Sequence, residues 1–406
     1  MNRAELEADQ LVRLRQLLAA IVPGNPFYTR KLQGVGPITS LAEFQARVPF
    51  TTKQELVTDQ LAHPPFGTNL TFPLDQYTRC HQTSGTSGAP LRWLDTPASW
   101  RWLTETWAEV YHAAGVSAGD RVYFAFSFGP FIGFWMAFDA AEQLGCLCLP
   151  GGGLSSAARV RSILDNGATV LCCTPTYALR LGEVAAEEKI DLNYSKVRLI
   201  IVAGEPGGSV PTTRARISQL WNGARVFDHH GLTEVGPVTY ETPDRPGSLT
   251  VIERSLIAEV VDGELVLTNL GRIGSPLLRY RTGDLVKPVM QDGRLMLDGG
   301  ILGRVDDMVI VRGVNIFPSA MDEVLRRFDD LAEYRVDVQR TAALTELRVQ
   351  IEPTADCLDP HHLRATVEKS LQTAFALRIP VTLLPHGMLP RFEMKARRWV
   401  TVTSSR

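Results

Sequence analysis

Short apolar segments alternate with helical segments between residues 99 and 202, and this alternation limits the fold more than any other feature of the sequence. The apolar runs at 121–126, 146–149, 169–173 and 199–202 have the length of buried strands, and helix-length segments separate them. Strands that are joined by helices in this way form a mostly parallel sheet with helices on both faces. Ligands of such sheets bind beyond the carboxyl ends of the strands, so we expect a site in the loops that follow them.

The pattern changes after residue 248. Short β-hairpins follow, with Asp-Gly turns at 262–263 and 292–293. Strands and helices are then mixed over residues 305–406. We therefore predict an α/β protein with two domains. Residues 1–304 form a large N-terminal domain of mostly parallel sheets flanked by helices, with a small β-rich subdomain, and residues 305–406 form a small α+β C-terminal domain.

The composition excludes several classes of protein. A net charge of −2 and a sequence pI of about 6.5 offer no basic surface for nucleic acid or for an anionic membrane. The longest apolar stretch, residues 122–141, is interrupted by Gly129, Pro130 and Asp139 and is unsuited to crossing a membrane. None of the six cysteines belongs to a CxxC pair. Four of them, Cys146, Cys148, Cys172 and Cys173, lie in apolar runs, where we expect buried thiols of a cytoplasmic protein, and we expect neither a disulfide framework nor a zinc site.

A loop rich in hydroxyl groups and glycine is the first segment that suggests chemistry. Glycines let the backbone approach an anion closely, and hydroxyl and amide groups can then surround it, which suits the phosphates of ATP. Considered alone, such a stretch is more often a flexible loop, and it lacks the Gly-Lys-Ser/Thr of a Walker A motif. The loop consists of Thr83, Ser84, Gly85, Thr86, Ser87, Gly88, Ala89 and Pro90.

Two acidic side chains are candidates for binding a metal ion and a sugar. Glu234 can hold Mg²⁺ beside phosphates, because Mg²⁺ prefers a few carboxylates together with phosphate oxygens. The nearby His229 and His230 are poor zinc ligands, since adjacent strand residues point to opposite faces. Asp284 is expected at a turn, where its carboxylate could accept hydrogen bonds from ribose hydroxyls. A capped turn without any such role explains Asp284 at least equally well.

Two charged segments also have ordinary explanations when each is considered alone. Gly303-Arg304, followed by Asp306-Asp307, lies at the expected domain junction and could be a charged turn. Residues 389–398, which include Lys395, could be a solvated basic surface.

These five segments together resemble the ANL superfamily of adenylate-forming enzymes in their order and spacing. That superfamily comprises acyl-CoA synthetases, peptide-synthetase adenylation domains and luciferases, and the resemblance covers nearly the whole chain. It implies that ATP and Mg²⁺ activate a carboxylic acid as an acyl-adenylate. Five further segments are similar to the phenylacetate-CoA ligase branch in particular, namely 25–28, 48–53, 172–178, 204–206 and 312–318.

The resemblance implies a role for each matching position. Thr233 would lie beside the α-phosphate, and Glu234 would bind Mg²⁺. Lys395 would be the catalytic lysine that bridges the acid and the α-phosphate, and Asp306 would be the hinge of a mobile C-terminal domain. The implied nucleotide-binding residues are Thr83, Ser84, Gly85, Thr86, Ser87, Gly88, Gly204, Glu205, Pro206, Asp228, His229, His230, Gly231, Thr233, Asp284 and Arg304.

The two other substrates are assigned in the same way. Arg312 and Gly313 would line the channel for CoA, the implied acceptor. The acid would lie between the segment 125–135 and the loop 203–206, where aromatic and apolar walls suit an aryl or arylacetic acid. Ile132 and Trp135 of that segment are better explained as core residues. The implied pocket residues are Phe126, Phe128, Phe131, Gly133 and Ala203.

The sequence departs from the family pattern at several positions. Ala89 stands where a phosphate-binding lysine is common, and Met394 stands where glycine usually precedes the catalytic lysine. Close relatives often carry Cys and His residues in regions where this chain has Thr242 and Thr250, and we therefore predict no structural zinc.

The resulting hypothesis is an AMP-forming acid–thiol ligase of the cytoplasm. It would activate an aromatic carboxylic acid as acyl-AMP and form a thioester with CoA, releasing AMP and pyrophosphate. One alternative is transfer of the acyl group to a carrier-protein thiol or to an amine. Another is a catalytically silent nucleotide-binding protein. The branch is commonly dimeric, which makes a homodimer a further hypothesis.

Overall fold

The structure of the protein is a computed structural model that describes residues 2–83, 90–312, 314–340, 345–392 and 396–402. Along the chain, a helical segment is followed by a parallel sheet, by two antiparallel sheets and by a C-terminal sheet with helices. No helix in the described part of the chain combines the length and apolar character that a membrane crossing requires.

Helices α1–α4 precede the first sheet. Helix α1 begins after Asn2, whose side chain accepts a hydrogen bond from the amide of Glu5, while the Glu5 carboxylate accepts one from the amide of Asn2. This capping box starts the helix, and Pro23-Gly24 follows its end, as the sequence predicts. The bounds are α1 Arg3–Ile21, α2 Pro26–Lys31, α3 Leu41–Arg47 and α4 Lys53–Ala62.

A five-stranded parallel sheet with the order β4-β3-β5-β6-β7 forms the centre of the N-terminal region. Every neighbouring pair in it is parallel, and helices connect its consecutive strands, which confirms the predicted α/β fold. The bounds are β1 Arg79–Gln82, β2 Arg92–Asp95, α5 Pro97–Ala114, β3 Arg121–Phe124, α6 Ile132–Gln143, β4 Leu147–Pro150, α7 Ser156–Asp165, β5 Val170–Cys173, α8 Pro175–Glu187, β6 Leu199–Val202, α9 Pro211–Leu220 and β7 Arg225–Asp228.

The two faces of this sheet bury separate cores, because successive strand residues point in opposite directions. Phe124 and Ile201 pack among residues of α5 and α6, whereas their neighbours Tyr123 and Ile200 pack among residues of α7, α8 and α9. All four side chains are buried, and burial of such a side chain contributes about 1.5–3 kcal/mol. The sheet is therefore a rigid platform for the loops at its carboxyl edge.

Two antiparallel four-stranded sheets follow, with the orders β10-β11-β16-β15 and β12-β13-β14-β17. At the turns Asp262-Gly263 and Asp292-Gly293 all four φ angles are positive, between 49° and 81°, as in type I′ hairpins, and the predicted turns are confirmed. The bounds are β8 Gly231–Leu232, β9 Gly236–Pro237, β10 Thr239–Thr242, β11 Arg245–Val251, β12 Leu256–Val261, β13 Glu264–Asn269, β14 Tyr280–Leu285, β15 Pro288–Gln291, β16 Arg294–Asp298 and β17 Gly303–Arg304.

The C-terminal unit, from β18 to β23, is built on a sheet with the order β22-β21-β20-β23. Residues of α10 and α11 pack with this sheet in a core of their own, separate from the cores of the N-terminal region. Its α+β character is as predicted. The bounds are β18 Val309–Val311, β19 Val314–Ile316, α10 Pro318–Leu325, β20 Leu331–Arg340, β21 Thr345–Pro353, α11 Pro360–Phe375, β22 Val381–Leu383 and β23 Trp399–Val402.

Two local features differ from the sequence-based expectations. The last strand, β23, was not predicted, since its four residues follow a basic segment and their partner β20 lies about sixty residues earlier. The turn expected at Asp284 is also wrong, because Asp284 lies within strand β14. Gly283 adopts a φ of 77°, which explains the turn-like local sequence, but pairing with β13 and β17 keeps this segment in the sheet.

Candidate active site

The glycine-rich loop connects β1 and β2, which form an antiparallel hairpin. Thr83 joins the two ends of the loop, since its amide donates to the Leu91 carbonyl at 3.0 Å and its hydroxyl accepts from the Leu91 amide at 3.0 Å. The position of the loop ends is therefore fixed. The residues expected to contact phosphates, Ser84, Gly85, Thr86, Ser87 and Gly88, lie outside the described residues, as does Ala89.

A fully buried ion pair lies at the base of this hairpin. The Arg272 guanidinium donates to both oxygens of Asp95, with Nε–Oδ1 and Nη2–Oδ2 distances of 2.7 Å each. Its remaining nitrogen, Nη1, donates to the backbone carbonyls of Thr233 and Glu234 at 2.8 and 3.0 Å. Both charged side chains are 0% exposed. One guanidinium thus connects the hairpin to the backbone that carries the predicted Mg²⁺ ligand.

The Glu234 carboxylate is buried beside two donors. Its Oε1 accepts a hydrogen bond from the Tyr280 hydroxyl at 3.4 Å and lies 3.6 Å from Lys53 Nζ. Burial, followed by the nearby Glu234 charge, raises the pKa of Tyr280 well above its usual value, so the phenol retains its proton. A carboxylate offers about four lone-pair sites, which leaves Glu234 able to accept a metal ion. Thr233, at its side, is half-buried.

The strand pair β14 and β17 places Asp284 opposite Arg304. Arg304 Nε lies 3.9 Å from Oδ1 of Asp284, and His230 Nε2 lies 3.2 Å from Oδ2 but without hydrogen-bond geometry. Among the described residues, Oδ2 of this buried carboxylate has no hydrogen-bond donor. Leaving a buried acceptor without a donor is unfavourable by about 1–3 kcal/mol. A ribose hydroxyl would supply the missing donor, and the site fits a nucleotide in this respect.

Asp228, at the end of β7, packs beneath the loop 203–209. Its Oδ2 accepts from the Ser209 hydroxyl at 2.5 Å, and its amide donates to Glu241 Oε2 at 2.8 Å. A side chain at Gly208 would clash with it, because a Cβ atom there would lie 2.2 Å from Oδ1. Burial raises the pKa of Asp228 to about 7. The carboxyl group thus supports the loop, and its assignment to adenine stays a prediction.

The loop itself begins directly after β6. Ala203 is half-buried and donates its amide to the Cys173 carbonyl at 3.3 Å, while Gly204 and Pro206 are exposed. Gly204 has a φ of 93°, a conformation that favours glycine. Gly231 is half-buried in β8, on the other side of Asp228. Ala203, predicted for the acid pocket, and the predicted nucleotide-site residues near it therefore lie at the carboxyl edge of the parallel sheet, where the α/β alternation places a ligand.

A cluster of aromatic rings occupies the region predicted for the acid. Phe126 stacks on Phe134 with ring centroids 4.1 Å apart, and Phe128 meets Phe126 edge-on at 5.6 Å. Phe131 contacts Phe134 at 6.2 Å. A Cβ atom at Gly133 would find no heavy atom within 4 Å, so space adjoins the cluster there. The predicted aromatic residues are brought together, and Phe134 belongs with them although the sequence-based set omits it.

His229 is buried against Trp107, at the hydrophobic core that also contains Phe126. Its ring meets Trp107 edge-on at 4.4 Å, and Trp107 and Phe126 belong to the same core. Burial lowers the pKa of His229 to about 3, so its imidazole is neutral at pH 7. Nδ1 of His229 and Nε1 of Trp107 both lack a hydrogen-bond partner within the described ranges. The surroundings of Trp107 therefore contain two nitrogens without a hydrogen-bond partner among the described residues.

Two protein families match separate parts of the chain. Residues 80–277 match the AMP-binding enzyme family, and residues 313–401 match the AMP-binding enzyme C-terminal domain. The chain is 32% identical to the phenylacetate-coenzyme A ligase of Pseudomonas putida, over 96% of this chain and 93% of the relative. It is 31% identical to the ligase of the same name from Thermus thermophilus, over 97% of this chain and 95% of the relative.

The chain belongs to the adenylate-forming enzymes, in their phenylacetate-CoA ligase-like branch. It is an AMP-forming acyl-CoA ligase that depends on ATP and CoA. Its structure resembles that of 2-hydroxyisobutyryl-CoA ligase in the postadenylation state, with a TM-score of 0.92 and 30% identity over 99% of this chain and 90% of that one.

Some of the residues expected to act in catalysis, domain motion and CoA binding are not described by the structure. Lys395, Met394 and Gly313 lie outside the described residues. Asp306 occupies a short 3₁₀ turn, Val305–Asp307, directly after β17.

The described part of the expected CoA channel is Arg312. It is exposed, adopts a φ of 50° between β18 and β19, and pairs with Glu346 at 3.2 Å. The hinge role of Asp306 and the channel role of Arg312 both stay predictions.

The residues that sequence reasoning missed are of two kinds: the Asp95–Arg272 pair has no signal in the local sequence, whereas two aromatic residues of α6 do. Asp95 and Arg272 are 177 residues apart, and neither belongs to a motif that suggests the other. Phe134 and Phe138 could have been found, because they follow Phe131 at the i+3 and i+7 spacing of one helix face. Phe138 packs against Phe128 at 5.4 Å.

Replacing Arg272 by methionine should destabilise the ligase strongly, because Asp95 would remain buried and charged without its partner. We expect a loss of about 3–5 kcal/mol in the free energy of unfolding. Urea denaturation at pH 7 measures it. The matched control is Arg198→Met, since Arg198 pairs with Asp120 at 2.7 Å but is 46% exposed. This control should lose no more than about 1 kcal/mol. Equal losses in the two variants would contradict the assigned importance of Arg272.

The Asp228 carboxyl group should make the stability pH-dependent. Its pKa is about 7 in the folded protein, above the usual 3.8, so the native state retains a proton that the unfolded chain releases between these values. Stability from this group is highest at low pH and falls by up to about 1.4 kcal/mol per pH unit towards pH 7. Asp228→Asn should flatten the stability profile in this range, whereas the exposed Asp329→Asn should not. A profile unchanged by Asp228→Asn would refute the assignment.

Proposed function

We propose that this ligase activates an aromatic carboxylic acid of the aryl or arylacetic type, and that Glu234, Asp284, Arg304 and Lys395 serve its nucleotide. The observation that carries the nucleotide assignment is the buried Asp284 carboxylate, whose Oδ2 lacks a donor among the described residues while Arg304 lies beside it. The Glu234 carboxylate lies nearby, because it accepts a hydrogen bond from the Tyr280 hydroxyl at 3.4 Å and Tyr280 belongs to the same strand, β14, as Asp284.

The first half-reaction joins two anions. An oxygen of the acid attacks the α-phosphorus of ATP, a new O–P bond forms, and the bond to pyrophosphate breaks. Lys395 supplies positive charge between the acid and the α-phosphate, and Thr233 contacts that phosphate. Mg²⁺, held by Glu234 together with phosphate oxygens, would neutralise phosphate charge. Fixed positive groups of this kind lower the barrier because they need no reorganisation during the reaction.

The second half-reaction consumes the adenylate. The thiolate of CoA attacks the acyl carbon, a C–S bond forms, and the bond to AMP breaks, so that AMP leaves. Arg312 and Gly313 would line the approach of CoA. Asp306 would be the hinge that lets the C-terminal domain, residues 305–406, exchange the lysine for this channel, with residues 1–304 as the stationary domain.

Two similarities support such a rotation. The chain superposes on 2-hydroxyisobutyryl-CoA ligase in the postadenylation state with a TM-score of 0.92. Against the same ligase in the thioesterification state the TM-score is 0.73, although 100% of this chain is covered. The arrangement described here is therefore more similar to the postadenylation state of that relative than to its thioesterification state.

The choice of an aromatic acid rests on the ring cluster. Phenylalanines whose ring centroids lie 4.1–6.2 Å apart form an apolar aromatic wall, and another ring can pack against such a wall. The phenylacetate-coenzyme A ligases that share about 30% identity with this chain act on an acid of that type. A structural relative, 2-hydroxyisobutyryl-CoA ligase, has an aliphatic acid in its name. An experiment should therefore include 2-hydroxyisobutyrate as the aliphatic alternative.

An ATP–pyrophosphate exchange assay tests the proposal. Benzoate, phenylacetate, ring-hydroxylated analogues, 2-hydroxyisobutyrate and hexanoate are compared, and we expect acid-dependent exchange that is fastest with an aromatic acid. Adding CoA should then yield the thioester and AMP by mass spectrometry. Fastest exchange with an aliphatic acid would refute the aromatic assignment. If only a carrier-protein thiol or an amine reacts with the acyl-adenylate, that group and not CoA is the acceptor. ATP binding without exchange would indicate a catalytically silent protein.

Lys395→Ala tests the assigned catalytic lysine. Losing the ammonium at the reacting phosphate should slow pyrophosphate exchange by about a hundredfold or more, while the variant still folds. The control is Lys369→Ala, which removes an exposed lysine of α11 from the same unit and should leave exchange unchanged. Exchange at the normal rate in Lys395→Ala would refute its role.

A further inference from the structure

The Glu205 carboxylate connects the N-terminal region to the C-terminal unit. Its Oε1 accepts a hydrogen bond from the amide of Thr176 at 2.9 Å, and its Oε2 accepts one from the amide of Ala396 at 2.9 Å. Ala396 directly follows Lys395 in the chain. A single side chain therefore touches the backbone next to the catalytic lysine.

The support beneath Glu205 is rigid. Thr176 is the second residue of α8, so the carboxylate lies at the amino end of a 13-residue helix, where backbone amides and the helix dipole favour negative charge. Glu205 itself stands two residues after Ala203, whose amide bonds to the end of β5. The parallel sheet and α8 thus fix the position of the acceptor before the C-terminal unit docks on it.

A second contact holds the same short segment. Arg398 donates to both oxygens of Glu333 at 2.7 and 3.0 Å within the C-terminal unit, and both side chains are buried. Arg398 Nη1 also lies 3.4 Å from the Thr176 hydroxyl. Although burial opposes its charge, the Glu333 carboxylate raises the pKa of Arg398 above its usual value. Residues 396–398 are thereby anchored to their own unit and aligned with the first turn of α8.

From this geometry we infer that Glu205 is a positioning residue for the first half-reaction: its carboxylate holds the backbone at Ala396, and so presents Lys395 to the acid and ATP. The inference rests on the proposed function. Rotation of the C-terminal domain would separate Ala396 from Glu205, and the contact would then be absent while CoA reacts. Glu205 should therefore contribute to one half-reaction and not to the other.

This expectation differs from what a role in nucleotide binding predicts. The adenine group is part of both ATP and the acyl-adenylate, so a side chain that binds adenine should affect both half-reactions. A merely structural residue should likewise reduce both through loss of folded protein. Only the positioning role separates them.

The kinetic experiment compares Glu205→Ala and Glu205→Gln with the unmodified enzyme. Pyrophosphate exchange should fall in its kcat by about ten- to a hundredfold for Glu205→Ala, the size expected for a lost hydrogen bond to a charged group, and by less for Glu205→Gln. Thioester formation from synthetic acyl-adenylate and CoA should stay within about twofold of the normal rate, because the contact is absent then. Equal slowing of both half-reactions, or of neither, would overturn the inference.

The matched control removes another contact between the same two parts of the chain. Arg216 of α9 pairs with Asp329 at 3.4 Å, and Asp329 is 85% exposed and remote in sequence from Lys395. Asp329→Ala should leave both half-reactions unchanged. Loss of exchange in Asp329→Ala equal to that in Glu205→Ala would show that any contact between the two parts has this effect.

A second measurement does not depend on turnover and therefore separates this inference from the proposed function. Spin labels are placed at Tyr194→Cys and Leu358→Cys, which are 79% and 100% exposed, with Cys80 and Cys357 replaced by serine. In the ligand-free protein, pulsed electron paramagnetic resonance should give a dominant label distance. Glu205→Ala should broaden or shift that distance, whereas Asp329→Ala should not. An unchanged distance distribution in Glu205→Ala would overturn the inference even in an active enzyme.

Discussion

The buried pair of Arg272 and Asp95 is the interaction on which the rest of the site depends. Taking both charges out of water is costly by several kcal/mol per ion, and the pair is tolerable only when each donor and acceptor finds a partner. Here the guanidinium donates two hydrogen bonds to Asp95, and its third nitrogen, Nη1, donates to the carbonyls of Thr233 and Glu234. Any shift of the hairpin, or of the backbone at Thr233 and Glu234, would leave a buried charge without its partner. The hairpin and the segment 233–234, to which we assign phosphate and Mg²⁺ binding, are therefore held in one geometry before substrates arrive, as electrostatic catalysis requires.

The fold was largely predictable because its information is local. Strands such as β5 and β6 are uninterrupted apolar runs, and the Asp-Gly turns need the positive φ angles that their residues tolerate. The meeting of the loops that follow the parallel strands was predictable for a topological reason, since the carboxyl ends of parallel strands lie at one edge of the sheet. Asp284 was expected at that site but in a turn, and the strand pairing that overrides its local preference is formed with β13 and β17.

The long-range polar contacts could not be predicted. Arg272 finds Asp95 across 177 residues, and Glu205 finds Ala396 across 191, and no periodicity or spacing relates such positions. From the sequence alone, a charged residue in a loop is expected to be solvated, and only the folded structure shows that it is buried or paired. The aromatic cluster is an intermediate case. Helix α6 repeats aromatic residues on one face, which the sequence displays, but whether that face meets Phe126 depends on how the helix packs against the sheet.

The contrast between the two kinds of polar contact fits the proposed rotation of the C-terminal unit. Inside the N-terminal region the Arg272–Asp95 pair is 0% exposed, and breaking it would strand a charge. Among the described residues, the contacts across to the C-terminal unit include backbone amide and hydroxyl bonds at Glu205 and Thr176 and an exposed ion pair at Asp329. Breaking such contacts returns their groups to water, at a cost of about 0–1 kcal/mol for the exposed pair and about 1.5–3 kcal/mol for a hydrogen bond to a charged group. The C-terminal unit keeps its own core, so it can leave this surface without unfolding. A contact that is directional but weaker than a fully buried ion pair suits the proposed role of Glu205, which is to position a lysine in one half-reaction and to release it for the next.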